Sequence, residues 1–330
     1  MMAAADLIEL WRGGLPESIH QGHAVVWDRG GMVAAWGDPQ AVIFPRSSCK
    51  MIQALPLLES GAADAARLGT EQLALSCASH SGARIHVDRV GAWLGALGLG
   101  ESDLRCGTHL PWDAAESRRL TCSDEAPCQI HNNCSGKHAG FLTWNRHHGA
   151  DPDYHLPDHP LQQAIRAATE EVTGEPVAGM GIDGCSAPNF ATSVAGLARA
   201  MSAFACGGED ARGQGMQRLV QAMMLHPELV AGEGRACTDL MRAMKGRVAV
   251  KTGAEAVFIA IAPERGMGIA LKIADGATRA SEAAITALLV HYGFLEANHP
   301  VVGKYLTDPL RNWRGIEVAE RRLAEGFLKI

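Results

Sequence analysis

Aromatic side chains are scarce in this chain: seven Trp, seven Phe and three Tyr make up 5% of its 330 residues. That leaves little with which to build a base-stacking surface. A basic excess is missing as well. Thirty Lys and Arg stand against thirty-six Asp and Glu, a formal net charge of -6 with both signs interspersed. Neither a nucleic-acid stripe nor a polybasic membrane segment is expected, so nucleic acid and membrane are excluded as partners. Uncharged runs stop short of the roughly 20 residues that a membrane helix needs. No two of the nine cysteines form a C-x-x-C pair, which argues against a structural zinc finger. The odd count and loose spacing also argue against a disulfide framework. Met1 to Asp6 has neither a basic start nor a sustained apolar run, so no signal peptide and a cytoplasmic location with free thiols are expected, some of them as metal ligands. Neither internal repeats nor a low-complexity linker divides the chain.

What is present is apolar mass. Hydrophobic residues make up 47% of the sequence, ample for a large core. His23 to Trp27 and Met32 to Trp36 flank Asp28-Arg29-Gly30-Gly31, a hairpin signature. Helical periodicity follows over 71–78, 87–97, 161–172, 194–204 and 216–223, with glycine or proline at most of the stops. Residues 104–136 show no clear period, and Gly179 to Pro188 reads as a glycine-rich loop. Strands return at Val248–Val250, Ala256–Ile261 and Met267–Ile273, then a helix from about Thr278 to Tyr292. After Pro309 an edge strand and a last short helix are expected. Strands at both ends with helices between predict one domain over 1–330. Its antiparallel sheet would come from about 6–45 and 248–330, with a helical region over about 46–247.

Pro45-Arg46-Ser47-Ser48-Cys49-Lys50 opens a nearly all-apolar helical segment. Positions i and i+3 share a helix face, so Ser47 Oγ and the Lys50 amine are expected to meet. A lysine in low dielectric loses affinity for its proton and becomes a general base beside a nucleophile. The plain alternative is a solvated first-turn lysine. Lys251-Thr252-Gly253 on a late strand is equally common alone. Paired with an upstream Ser-x-x-Lys it matches the pattern of penicillin-recognising serine enzymes. Ser79, in Cys77-Ala78-Ser79-His80-Ser81-Gly82, is either a helix-end turn residue or a second nucleophile. Cys134, Lys137, His138 and Cys185 sit in glycine-containing loops and read as buried cysteines, a zinc site or a cysteine-amidase centre. Asp183, before Gly184, is a turn former or a carboxylate suited to an α-amino group.

Taken together, Pro45-Arg46-Ser47-x-x-Lys50, Ala78 to Gly82, Asn132 to His138, Gly181 to Cys185 and Lys251 to Glu255 resemble the Rhizobium-type (class 3) L-asparaginases, the asparaginase II family. The likeness runs roughly from Leu10 to Tyr292. It implies a mixed α/β (α+β) fold of the serine β-lactamase/glutaminase-like kind, a homodimer, and hydrolysis of L-asparagine to L-aspartate and ammonia. It further implies two tandems, Ser47 with Lys50 and Ser79 with Lys251, and an accessory zinc ion on Cys134, Lys137 and Cys185. Arg46, His138 and Asp183 are the residues expected to orient substrate. Acyl transfer through a serine is the expected chemistry, with Ser47 slightly preferred as nucleophile and backbone N–H groups of its turn as the oxyanion site. Three other readings stay open: a β-lactam- or peptide-recognising serine hydrolase, a Cys134 amidase, and a non-catalytic zinc- or amino-acid-binding module.

Overall fold

The computed structural model describes residues 3–328. Eleven strands form in chain order: β1 (Ala5–Arg12), β2 (Leu15–Asp28), β3 (Gly31–Trp36), β4 (Val42–Ile43), β5 (Gly179–Ile182), β6 (Pro188–Ser193), β7 (Ala249–Gly253), β8 (Val257–Ala262), β9 (Met267–Ile273), β10 (Leu310–Arg311) and β11 (Glu317–Leu323). The main sheet is antiparallel in the order β10-β11-β1-β2-β9-β8-β7, with β3 also paired to β2. It is therefore built from both ends of the chain, as the strand pattern predicts. All six residues of β8 and all but Lys272 of β9 are buried. Such runs mark a sheet covered on both faces. Helices Val194–Cys206 and Thr278–His291 pack against it. The first comes so close at Gly268 that a Cβ there would run into the Ala198 carbonyl and the Ser202 amide; glycine is what allows the contact.

Four sequence expectations need correction. The region 46–247 is not purely helical: β5 and β6 form a hairpin within it and pair with β4 as a separate three-stranded sheet, in the order β4-β6-β5. Gly179 to Pro188 is the heart of that hairpin rather than a loop. Its glycines alternate with exposed Met180 and Ile182, a strand period hidden by the missing side chains. The turn closes through Asp183 N–H to Ala187 O at 2.9 Å and Ser186 N–H to Asp183 O at 2.9 Å.

The stretch 104–136 contains a helix, Ala114–Cys122, whose N-cap Asp113 accepts from Glu116 N–H at 2.8 Å. Only Glu116 and Leu120 of this helix are buried, so no apolar period exists to be read. At the far end the expected edge strand is β10, which starts directly after Pro309 and ends the sheet, with β11 between it and β1. The helical turns Pro300–Val302 and Gly303–Thr307 precede Pro309; among the described residues no helix follows it. No described helix is long and apolar enough to cross a membrane.

Candidate active site

The edge strand β7 brings the C-terminal third of the chain against the Pro45–Lys50 turn. A Cβ on Gly253 would lie 2.7 Å from Pro45 O and 3.0 Å from Ser48 N, so only glycine lets the strand edge lie flat on that turn. The turn is a short 3-10 segment, Arg46–Cys49, closed by Ser48 Oγ–H to Pro45 O at 2.7 Å. Arg46 enters it at φ +52°, a left-handed conformation that a non-glycine residue rarely takes. Ser79 arrives from the end of helix Thr70–Ser76. Its backbone is fixed by Ser79 N–H to Val230 O at 2.9 Å, and the next residue ties to the metal-candidate loop through His80 N–H to Asn133 O at 3.2 Å.

Two lysines converge on Ser79. Lys50 Nζ donates to Ser79 Oγ at 3.0 Å, to Cys134 Sγ at 3.1 Å and to Ala78 O. Lys251 Nζ lies 2.9 Å from Ser79 Oγ and 2.7 Å from Thr252 O. Lys50 is 1% exposed, Lys251 0% and Ser79 5%. Burial, reinforced by the neighbouring Lys50, pulls the Lys251 amine down to about 7. Ser47 does not meet Lys50 as its spacing suggests: Lys50's bonds go to Ala78, Ser79 and Cys134, while Ser47 stays half-buried in the wall of a cavity. The reason is local. The 3-10 turn ends at Cys49 and the α-helix starts at Lys50, so the two residues do not share one regular helix face. Lys50 is turned inward, where acceptors wait. The arrangement is one serine between two lysines rather than two separate tandems.

Next to this group lies a thiol-amine cluster. Lys137 Nζ donates to Cys185 Sγ at 3.0 Å, and Cys134 Sγ to Asn133 Oδ1 at 2.9 Å. The pair of thiols splits. The neighbouring Cys134 thiol, with the nearby Lys137 cation, holds Cys185 well below the usual thiol range; the neighbouring Cys185 sulfur, together with burial, holds Cys134 well above it. For Lys137, burial works toward the neutral amine, but the sulfurs of Cys185 and Cys134 outweigh it and the amine is raised. His138 is fully buried, which pushes it down to about 4. Its Nδ1 is 2.8 Å from Tyr154 Oη, and its Nε2 has no hydrogen-bond partner among the described residues. It does not line the cavity, so it is poorly placed to touch a substrate there.

That cavity measures about 420 Å³ and is walled by Ser47, Ser79, Cys134 and Cys185 together with charged side chains. Arg46 and Asp183 form an ion pair in its wall, at 2.8 Å between Nη2 and Oδ1. The same Oδ1 also accepts from Arg46 Nε at 3.0 Å and from Gly184 N–H at 2.7 Å. A larger cavity of about 550 Å³ elsewhere is lined by alanines, Trp93 and Arg146 and contains none of the residues above. Sequence reading overlooked Arg235, Trp112 and Glu282, which also line the cavity beside Ser79. Arg235 follows Gly232 and Gly234, both at positive φ; an arginine leaving a tight double-glycine turn was the available signal.

The family model for L-asparaginase II matches residues 8–323. No curated protein is significantly similar in sequence. Among solved structures, the chain is similar to a β-lactamase from Mycobacterium bovis at 13% identity, covering 82% of this chain and 94% of that one with a TM-score of 0.40. It is also similar to Mglu in its tris and glutamate form at 15% identity, covering 91% of this chain and 64% of that one, again with a TM-score of 0.40. Likenesses this distant carry no argument about chemistry.

Proposed function

Since the chain belongs to the L-asparaginase II family and is thus an asparaginase-type amidohydrolase, we propose that it hydrolyses L-asparagine to L-aspartate and ammonia through an acyl-enzyme on Ser79. One observation carries the choice of nucleophile: Ser79 Oγ lies 3.0 and 2.9 Å from two buried lysine amines and faces the cavity. A hydroxyl needs a base to become a useful nucleophile. Lys251, at about 7, is half neutral near that pH, and a general base works best in this range.

In the proposed reaction the neutral Lys251 amine accepts the Ser79 hydroxyl proton as Oγ attacks the side-chain amide carbon. Lys50 orients the hydroxyl through its hydrogen bonds to Oγ and to Ala78 O. The Ser47 turn supplies the oxyanion donor. Its Arg46 and Ser48 amides are spent on Asn189 Oδ1 and Pro45 O, which leaves that of Ser47. Collapse of the tetrahedral intermediate breaks the C–N bond, and the Lys251 ammonium returns its proton to the departing nitrogen, releasing ammonia. Water then gives a proton to the same amine and attacks the ester. Aspartate leaves and Ser79 regains its proton.

A zinc ion belongs to the same reading. The donor set fits: the Cys134 and Cys185 sulfurs and the Lys137 amine lie together, and on the adjacent residue a buried imidazole nitrogen has no hydrogen-bond partner among the described residues. Thiolate-rich sites suit zinc. Among the described residues no three His, Cys, Asp or Glu side chains gather as a metal site, so the set depends on Lys137 as a ligand beside Cys134 and Cys185. Bound there, zinc would supply positive charge at one wall of the cavity. The homodimer is part of the proposal too.

Ammonia release from asparagine and glutamine by wild type, Ser47→Ala and Ser79→Ala tests this reading. Ser79→Ala is expected to lose on the order of 10⁴-fold or more in kcat, as removal of a nucleophile does. Ser47→Ala removes only a hydroxyl and keeps the backbone amide proposed as the oxyanion donor, so its loss is expected to stay below the roughly 100-fold that one lost oxyanion donor costs. The reverse ranking would move the nucleophile to Ser47. No ammonia from either amide would end the asparaginase reading.

A further inference from the structure

We infer that Arg235 and Glu282 receive the α-carboxylate and the α-ammonium groups of the substrate, and so set which amide this enzyme accepts; the inference rests on the asparaginase reading above. An α-amino acid presents one charge of each sign, and a site that excludes water must meet both. The cavity has two ion-pairing systems to offer. Arg46 and Asp183 already neutralise each other, and Asp183 commits one oxygen to three donors. Arg235 and Glu282 are different: both line the cavity, and among the described residues neither side chain forms a salt bridge.

Arg235 is held ready without being neutralised. It donates from Nη1 to the carbonyl oxygen of Ser79 at 2.9 Å. Its guanidinium lies over the Trp112 ring, 4.8 Å from the centroid. Both partners fix the position of the fork and neither cancels its charge. The remaining donors of a planar fork suit a carboxylate, bidentate and charge-assisted. Because the anchor is the carbonyl of Ser79 itself, a carboxylate held there sits at a fixed, short reach from Ser79 Oγ. A substrate one methylene longer would carry its amide carbon past the nucleophile.

Glu282 lies on helix Thr278–His291, and its carboxylate makes no hydrogen bond among the described residues. Burial raises its carboxyl and outweighs the pull of Arg235, Lys304 and Arg321, none of which forms a salt bridge with it among the described residues. A substrate ammonium would reverse that cost, which is why an unpaired acid is tolerable in a binding wall and expensive anywhere else.

The experiment uses two truncated amides. Succinamic acid is asparagine without its amino group, and 3-aminopropanamide is asparagine without its α-carboxylate. The kcat/KM of each is compared with that of asparagine for wild type, Arg235→Gln and Glu282→Gln. Wild type is expected to prefer asparagine by at least about 100-fold over either truncated amide, as sites built for a polar group reject its absence. Arg235→Gln should lose about 100-fold or more on asparagine yet stay within about fivefold of wild type on 3-aminopropanamide. Glu282→Gln should do the same with succinamic acid as the spared substrate. Arg235→Lys, which keeps the charge and loses the fork, should raise KM for asparagine with little change in kcat. Equal losses on all three amides would show that the residues are merely structural and overturn the proposal. So would variants that keep the wild-type discrimination. A wild-type enzyme that releases ammonia from none of the three overturns the asparaginase reading itself and the clamp with it, a result distinct from failure of the clamp alone.

Discussion

Two buried lysines in this molecule differ in everything except their burial. Lys251 is 0% exposed and Lys137 2%. Lys251 bonds only to neutral oxygens, Ser79 Oγ and Thr252 O, and has a second lysine amine on the far side of the serine. Desolvation, reinforced by Lys50, outweighs the opposing pull of the Cys237 and Cys134 sulfurs, and the amine falls to about 7. Lys137 meets the sulfur of Cys185 at 3.0 Å, and its amine is held up instead. Burial alone does not decide the state of a lysine; the charge of its neighbours does. The first environment produces a base. The second produces a cation held beside a sulfur that bears negative charge, whose proton the proposed zinc ion would have to displace.

The comparison is broken most directly at Lys251. Lys251→Met removes the base and is expected to lower kcat/KM for asparagine on the order of 10³-fold. The pH profile makes the case sharper. The folded protein lowers this amine to about 7, so below that pH it carries the proton it must be free to accept. Wild-type kcat/KM should therefore rise with pH through about 7, and the rise should be absent from the residual activity of Lys251→Met. A profile flat from pH 6 to 8 in wild type would remove Lys251 from the role of base.

The thiol cluster should respond more weakly. Cys185→Ala removes the partner of Lys137 and one proposed zinc ligand. Zinc affinity, read by competition with a chromophoric chelator, is expected to fall at least about 10–100-fold, the range seen even for partners one step removed from a metal. The loss of activity should be smaller than that of Lys251→Met. An equal loss, restored by added zinc, would bring the metal into the chemistry and dissolve the contrast between the two lysines.

Much of this contrast was legible in the sequence, because Lys50, Lys251, Cys134 and Cys185 lie in short motifs whose order survives without a structure. The sheet from both termini was legible too, since β8 and β9 are long apolar runs around a turn. The pairing was not. Ser47 and Lys50 stand at helical spacing, but the 3-10 turn between them ends one residue too early. The partner that Lys50 finds is 29 residues away. Helix Ala114–Cys122 left no trace because it buries a carboxylate rather than an apolar stripe. Arg235 and Glu282 lie 47 residues apart in sequence and share a wall only through the fold, a relation that no local pattern encodes.

The smallest expected effect tests whether the site depends on how β7 is seated. Gly253→Ala would place a methyl group 2.7 Å from Pro45 O and 3.0 Å from Ser48 N. These are backbone atoms and cannot rotate away, so the strand edge must lift. Overpacking of this kind costs about 1–3 kcal/mol, visible as a lower midpoint in thermal denaturation. Lys251 lies two residues back on the same strand and moves with it, whereas Lys137, on helix Ser135–His148, does not. Activity should fall while zinc affinity holds. Gly91→Ala is the matched control: it lies inside helix Arg84–Ala96 with no atom within 4 Å of the added carbon. There alanine should stabilise by about 0.5–1 kcal/mol and leave turnover unchanged. If both substitutions alter activity alike, the seating of β7 is irrelevant to Lys251, and the poise of that amine must come from its immediate neighbours alone.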